Sequence, residues 1–380
     1  MKIGLDCRFW GITHAGLGRY TRELVLALLN KYQDKADFTL FINRHQWQED
    51  KALLKNCHLV ETEIPHYSLK EQLQFGGVID KEKLDLMHFM HFNVPVLAKT
   101  PYIVTIHDLI KHFFKGKPVT TRSSLVYWLK YGGYRLTIGQ AIKRSECIIT
   151  PSLFTKDQVA VHYPLAKDKI RVVYEGVSEP YNLNLTLESA ASKKIQKKYQ
   201  LNAPYFVYTG SAYPSKNLEV LLEALKQFKA QNNKVQLLIA CARNVFWQRL
   251  KDQIAKYKLE NYIVMPGNVP DEELKFLYAQ ARAYVFPSLM EGFGLPGLEA
   301  MASACPVISS NTGSLPEIYG SNAWYFDPHN SQQLFELMQQ AMNLGDKQRN
   351  KIVEKGMKYS KTYTWEKAAA QTWQVYQEVF

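Results

Sequence analysis

The sequence predicts an α/β chain folded as two doubly wound, Rossmann-like parallel-sheet domains facing each other across a cleft. Three observations carry this. Short β-rich runs alternate with amphipathic helical stretches from end to end, the pattern of parallel sheets covered by helices on both faces. The chain has 380 residues, more than one ordinary core accommodates. A polar, turn-rich stretch, EGVSEPYNLNLTLESAASKK, splits the alternation into two series.

In the first series the strand candidates are KIGLD, FTLFI, DLMHF, YIVTIH, CIITP and IRVVY. Helical spacing covers 19–31, 124–144 and 155–162 between them. The linker is placed near 176–181. In the second series the strands are YFVYTG, VQLLIAC, YIVMPG, AYVFP, PVISS and AWYF, separated by helices over 218–231, 245–257, 272–281 and 332–342. The boundaries expected are 1–177 and 178–363. A final helix over 364–380, with apolar residues at Trp365, Ala369, Trp373 and Tyr376, is expected to cross back onto the first domain.

Composition excludes several classes. With 46% hydrophobic and 22% charged residues the chain is globular. No run approaches the roughly 18–20 apolar residues a membrane-spanning helix needs. The segment MKIGLDCRFW reads as a first strand and not as a secretion signal. The five cysteines are scattered without a CxxC, as expected of small core residues in a reduced cytoplasm. Net charge is +12, and Lys111 to Arg144 holds eight basic residues and no acidic one, interleaved with Phe113, Phe114, Tyr127, Trp128, Tyr131 and Tyr134. Such a surface suits peripheral contact with the anionic inner face of the cytoplasmic membrane. It also suits a solvated helix whose aromatics are core. No nucleic-acid-binding motif accompanies the charge, so no nucleic-acid partner is expected.

The most informative motif is SLMEGFGLPGLEAMASACP, from Ser288 to Pro306. It sets Glu291 and Glu299 around a glycine-rich turn, with Pro296 suited to the first helical position. The N–H groups of Phe293, Gly294 and Leu295 would then point out of a helix N-terminus that attracts phosphate, and Gly292 and Gly294 let a ligand approach the backbone. A phosphate joined to sugars would satisfy both the N–H groups and the carboxylates. A plain dipole partnership for Glu299 is the alternative.

Four other strand-end loops bear on the same chemistry. GITHAGLGRY resembles a phosphate loop, with Gly16 and Gly18 permitting close approach and Arg19 starting a helix. In TGSAYPSKN, Lys216 lies just before a helix, where the dipole disfavours a cation, so an anionic ligand explains it better. Ser211 could add a neutral donor there. In IHDLI, His107 and Asp108 end a strand. His88, His91, His107 and His112 are close in sequence, but residues three apart in a strand face opposite ways, so no metal site is expected. In MPGNVPDEEL the backbone near Asn268 and Val269 could read a base edge, with Asp271 capping the next helix. There is no GxxxxGK[ST] phosphate loop, and no two aspartates stand two apart as in a DxD metal loop.

With these motifs assembled, the chain resembles a retaining glycosyltransferase of the GT-B fold, in family four. EGFGLPGLEAMA matches the family's E-x7-E motif. GLGRYTREL, TIHDL, YTGSAYPSKN, GNVPDEEL, GSLPEIYG and YTWEKAAAQTWQVY support it nearly end to end. The resemblance implies a nucleotide-sugar donor in the second domain and a glycan or polyprenyl-diphosphate-linked acceptor in the first. It implies that Glu299 holds the ribose diol and that Glu291 contacts hydroxyls of the transferred sugar. Phe293, Gly294 and Leu295 would present N–H groups, Lys216 would neutralise the diphosphate, and Gly16 would let the first-domain loop touch it. His107 would sit by the anomeric centre, and Val269 would hold the base. No cofactor or metal is implied. Where many relatives carry an arginine, this chain has Ser211, leaving Arg19, Arg243 or Lys216 alone to meet the phosphate charge. The likeness is to bacterial mannosyltransferases of surface-polysaccharide assembly, so GDP-mannose is the first expectation and UDP-sugars stay open. A GT-B epimerase or phosphorylase, and a non-catalytic nucleotide-sugar-binding module, are the alternatives.

Overall fold

The structure is a computed structural model describing residues 1–11, 15–44, 47, 50–55, 57–121, 123–181 and 190–380. Thirteen strands, all paired in parallel among the described residues, form two sheets. The chain divides into two compact units. One comprises Met1–Leu109, Arg122–Gly176 and Thr364–Phe380, the other Ile110–Thr121 and Val177–Tyr363. The short segment from Ile110 groups with the second unit, where the Arg249 guanidinium donates to the carbonyls of Pro118 (2.8 Å) and Thr120 (3.1 Å).

In the first unit β1 (Lys2–Asp6), β2 (Asp37–Ile42), β3 (His58–Glu61), β4 (Leu86–Phe89), β5 (Tyr102–Thr105), β6 (Cys147–Thr150) and β7 (Ile170–Val172) are ordered β3-β2-β1-β4-β5-β6-β7. Side chains alternate between two cores. Ile3, Leu5, Leu40, Ile103 and Ile149 enter one, while Phe41, Met87, Phe89, Val104 and Ile148 enter the other. This two-faced burial is why these strands read as continuous apolar runs. The helix Trp365–Val379 packs in the first of these cores, where Trp373 stacks on Tyr32 at 4.6 Å. Thr364 caps it by accepting from the Lys367 N–H.

In the second unit β8 (Tyr205–Thr209), β9 (Gln236–Ala240), β10 (Ile263–Gly267), β11 (Tyr284–Phe286), β12 (Val307–Ser310) and β13 (Ala323–Phe326) are ordered β10-β9-β8-β11-β12-β13. Both sheets therefore reverse strand order once, between β1 and β4 and between β8 and β11. Open parallel sheets bind ligands beyond the carboxyl ends of strands flanking such a reversal.

Several elements differ from expectation. β3 was not anticipated: HLVE is short and half exposed. The helices Ala190–Lys198, Leu315–Tyr319 and Asp346–Ser360 were also unanticipated. The first and third are mostly polar, and the second is five residues long. The first helix begins at Ala15 and not at Arg19, so Gly16 and Gly18 are helical. Residues 12–14 of GITHAGLGRY lie outside the described residues, as do 182–189 of the polar stretch. No described helix is long and apolar enough to cross a membrane. The five cysteines form no disulfide, and all but Cys57 are buried.

Candidate functional site

At the strand reversal of the second unit, the loop after β8 and the loop after β11 are tied together. The Leu289 N–H donates to the Ser215 carbonyl at 2.8 Å, and Asn217 Nδ2 donates to the carbonyls of Pro287 (3.1 Å) and Pro328 (2.8 Å). Asn217 adopts a left-handed conformation (φ 52°), which asparagine tolerates better than most residues. It turns the chain from the 3₁₀ segment Pro214–Lys216 into the helix Leu218–Ala230 and fixes Lys216 at that junction.

There the Lys216 ammonium meets both oxygens of Glu291, at 2.6 and 2.8 Å. Both side chains are largely buried, 19% and 10% exposed respectively. A cation disfavoured by the adjoining helix dipole is thus held by a carboxylate from the facing loop. Gly313 passes against the Glu291 backbone, and the Ser314 hydroxyl donates to the carbonyls of Glu291 (3.1 Å) and Phe293 (2.8 Å). The loop is therefore shaped by buried hydrogen bonds that leave little freedom to Glu291.

The helix beneath is Leu295–Ala302, with Gly294 at the cap position and Pro296 in its first turn. It starts one residue before the expected position. In its first turn Pro296 has no N–H and the Gly297 N–H donates to the Gly294 carbonyl at 3.2 Å, while the turn as a whole carries the positive end of the helix. Gly294 has φ +108°, and a Cβ there would press on Leu315 and the Tyr319 hydroxyl. The Tyr319 hydroxyl donates to the Gly294 carbonyl. Glu299 lies inside this helix, 3% exposed, so it is a carboxylate enclosed just beyond the first turn of the helix.

Other expected residues lie around these two loops. Ser211 is half-buried, and its carbonyl accepts from the Tyr208 hydroxyl at 2.7 Å. Gly292 and Phe293 are buried in the β11 loop, with Phe293 edge-on to Tyr363. Asn268 (exposed) and Val269 (half-buried) follow β10, two strands or about 10 Å along the sheet from β8. Arg243 donates to the Pro266 carbonyl at 2.9 Å and packs over Gly267, which commits it to the β10 edge. Asp271 does not cap its helix: it is the first helical residue, and Pro270 holds the cap position.

Gly16, Gly18, Arg19 and His107 belong to the first unit. Gly16 is exposed, Arg19 half-buried. Gly18 is buried, and the close approach it allows is that of the carbonyls of Gly11 and Phe9, so it packs the helix against the strand-end loop and does not face a ligand. His107 follows β5. Its Nε2 donates to the Met90 carbonyl at 2.9 Å, and its Nδ1 lies 3.5 Å from Glu175, with Tyr20 edge-on to the ring. His88 is enclosed, bonded to the Tyr376 hydroxyl (2.7 Å) and Thr105 (2.9 Å). Burial, with the charge of His107 second, pushes its pKa down to about 3. Among the described residues, no group of three His, Cys, Asp or Glu side chains could hold a metal ion.

Sequence reasoning missed a buried ion triad at the end of β1. Arg8 Nε and Nη2 donate to Asp6 at 2.8 and 2.7 Å, Nη2 lies 2.9 Å from Glu71, and the guanidinium covers the Phe75 ring at 3.6 Å. The signal was present: an acidic and a basic residue two apart at the end of a buried strand need partners. Glu175, the partner of His107, was equally unmarked.

Residues 15–179 match the model "Glycosyltransferase Family 4", and residues 190–359 match "Glycosyl transferases group 1". The chain belongs to glycosyltransferase family four. The O-antigen chain mannosyltransferase B of Escherichia coli is 27% identical over 380 residues, covering 95% of each chain. The O-antigen chain mannosyltransferase RfbU of Salmonella typhimurium is 30% identical over 238 residues, 63% of this chain and 59% of that protein. In structure, Anabaena HepE, solved in complex with UDP and glucose, superposes with a TM-score of 0.74 at 17% identity, covering all of both chains. The fold of this family four enzyme is GT-B, with two Rossmann-like parallel-sheet domains.

Proposed function

We propose that this glycosyltransferase moves a mannosyl group from GDP-mannose to a hydroxyl of a glycan or lipid-linked acceptor in O-antigen or related surface-polysaccharide assembly, with retention at the anomeric carbon and without a metal ion. The observation that carries the reading is the Lys216–Glu291 pair at the strand reversal, beside a helix N-terminus that encloses Glu299. We read the Lys216 charge as turning to the diphosphate when donor binds, with Glu291 and Glu299 taking sugar hydroxyls. The choice of mannose rests on the two O-antigen relatives.

In this reading the bond between the anomeric carbon and the diphosphate oxygen breaks, and its electron pair leaves with the nucleoside diphosphate. Lys216 and the positive end of the Leu295–Ala302 helix stabilise the charge that develops there, more in the transition state than in the ground state. The acceptor oxygen attacks from the same face, and its proton passes to the departing phosphate oxygen. Glu291 holds hydroxyls of the transferred sugar, Glu299 the ribose diol, and the backbone at Asn268 and Val269 the base. His107, fixed by Met90 and Glu175, orients the acceptor in the first unit.

Membrane contact is part of the proposal. In the helix Ser124–Arg144, Leu125, Trp128, Leu129 and Leu136 are 51–72% exposed along one outward stripe, flanked by exposed Lys130 and Arg135, while Ile138, Ala141 and Ile142 are buried opposite. An outward apolar stripe edged by cations fits the headgroup region of an anionic leaflet.

A panel of nucleotide-sugars tests the donor. GDP-mannose should raise the melting temperature above the rise given by GDP-glucose or UDP-sugars, and should release GDP with or without EDTA. A preference for a UDP-sugar would move the donor assignment. Epimerised donor as the product, or no release at all, would overturn transfer.

A further inference from the structure

We infer that the first unit carries an aromatic shelf, built on Tyr67, that stacks a pyranose ring of the acceptor glycan; this rests on the reading that the first unit takes the acceptor. Phe9 ends the β1 loop, and His66 lies on it face to face at 3.8 Å with 14° between the rings. Tyr67 stands edge-on to Phe9 at 6.3 Å and to His91 at 6.0 Å, and His91 adjoins Phe92 at 4.0 Å. These rings come from the loops after β1, β3 and β4, so they gather beyond the strand ends on the side of the β1–β4 reversal, where a doubly wound sheet receives its ligand.

Most of the cluster is covered, but Tyr67 is 57% exposed. Its backbone is unusual as well, with φ 58°, a left-handed conformation that a bulky residue adopts at a cost. That conformation is held from below: the Tyr67 N–H donates to Glu71 Oε2 at 2.8 Å, and Glu71 is fully buried against Arg8. The buried triad therefore acts as the footing of the shelf. Glu71 Oε2 also accepts from Asn93 Nδ2 at 3.2 Å, which ties the loop after β4 to the same footing.

A shelf of this kind recognises the apolar face of a sugar, while a neighbouring carboxylate accepts its hydroxyls. Asp108 supplies the carboxylate. It is half-buried, directly follows His107, and its charge, after burial and the charge of Glu71, helps push the Tyr67 phenol's pKa up. Tyr67 thus combines an exposed aromatic side chain with a carboxylate in its surroundings, the combination that a neutral pyranose requires.

The test is saturation-transfer NMR on the whole chain with methyl glycosides of mannose, glucose, galactose, N-acetylglucosamine and rhamnose, each with and without GDP. At least one glycoside should contact wild type and stay in contact when GDP is added. Tyr67→Ala should reduce that signal fivefold or more, and Tyr67→Trp should keep it. Tyr67→Gly should also lose it while its melting temperature stays level or rises, because glycine relieves the left-handed backbone. That result separates a binding role from a structural one. Contact of no glycoside with wild type, or equal contact in Tyr67→Ala, overturns the shelf. GDP binding in the same samples shows which reading failed: with GDP bound and no glycoside contact, only the shelf falls, whereas failure to bind any nucleotide defeats the proposed function itself.

Discussion

Removing the Lys216 ammonium, alone and together with the Glu291 charge, separates catalysis from folding. In Lys216→Met the two bonds to Glu291, 2.6 and 2.8 Å long, are lost while most of the side-chain volume stays. A hydrogen bond to a charged group contributes about 1.5–3 kcal/mol. If one such bond passes to the departing phosphate in the transition state, turnover should fall about 10- to 150-fold. Because the loss is of transition-state stabilisation, kcat and kcat/KM should fall together. Stability should change as well. Glu291, 8% exposed, would be left without its counter-charge, and breaking a fully buried pair costs about 3–5 kcal/mol. With Lys216 19% exposed, a loss of about 1–3 kcal/mol is the better expectation. Glu291→Gln added to Lys216→Met removes the orphaned charge, so stability should return while activity does not. Denaturant unfolding and steady-state release of nucleoside diphosphate read the two quantities. Turnover of Lys216→Met within twofold of wild type, or activity regained in the double variant, would refute the phosphate assignment.

Acidification should destabilise the first unit through His88. Its folded pKa of about 3 lies below the ordinary 6.5, so the stabilisation is complete above about pH 6.5 and is lost as pH falls toward 3. At pH 5 the loss from this group is about 2 kcal/mol by denaturant unfolding; a His88→Gln variant with the same pH dependence as wild type would contradict it. Gly297→Ala should destabilise by about 1–3 kcal/mol, because a Cβ there enters the Tyr319 ring, and an unchanged melting temperature would speak against that packing. Binding to vesicles containing phosphatidylglycerol should weaken with salt and with Trp128→Ser plus Leu129→Ser. Co-sedimentation indifferent to both would remove the membrane contact.

How far the sequence disclosed this molecule depends on what each segment must bury. Strands such as VQLLIAC and CIITP lie covered on both faces, so their apolar runs are unmistakable. HLVE at the sheet edge buries little and carries no such mark. Helices 190–198 and 346–360 are largely polar on their surfaces, so their periodicity is faint. The two loops of the candidate site were legible because glycine, proline and glutamate cluster there for reasons of backbone and charge. Their mutual pairing was not. Lys216 and Glu291 are 75 residues apart, and only the adjacency of β8 and β11 brings them together. The Arg8–Glu71 contact was hidden in the same way, since no local pattern announces which distant carboxylate answers a buried guanidinium. Gly18 shows the opposite hazard. Its glycine is required, but by the carbonyl of Gly11 and not by a ligand.

Whether a nucleotide's diphosphate sits on the Lys216 turn and the N-terminus of the Leu295–Ala302 helix is decided by a crystal structure of the whole chain with GDP. A β-phosphate oxygen should lie about 3 Å from Lys216 Nζ, with the ribose hydroxyls on Glu299 and the base beside Asn268 and Val269. A nucleotide bound at another edge of the sheet, or a divalent ion bridging its phosphates to protein carboxylates, would contradict it.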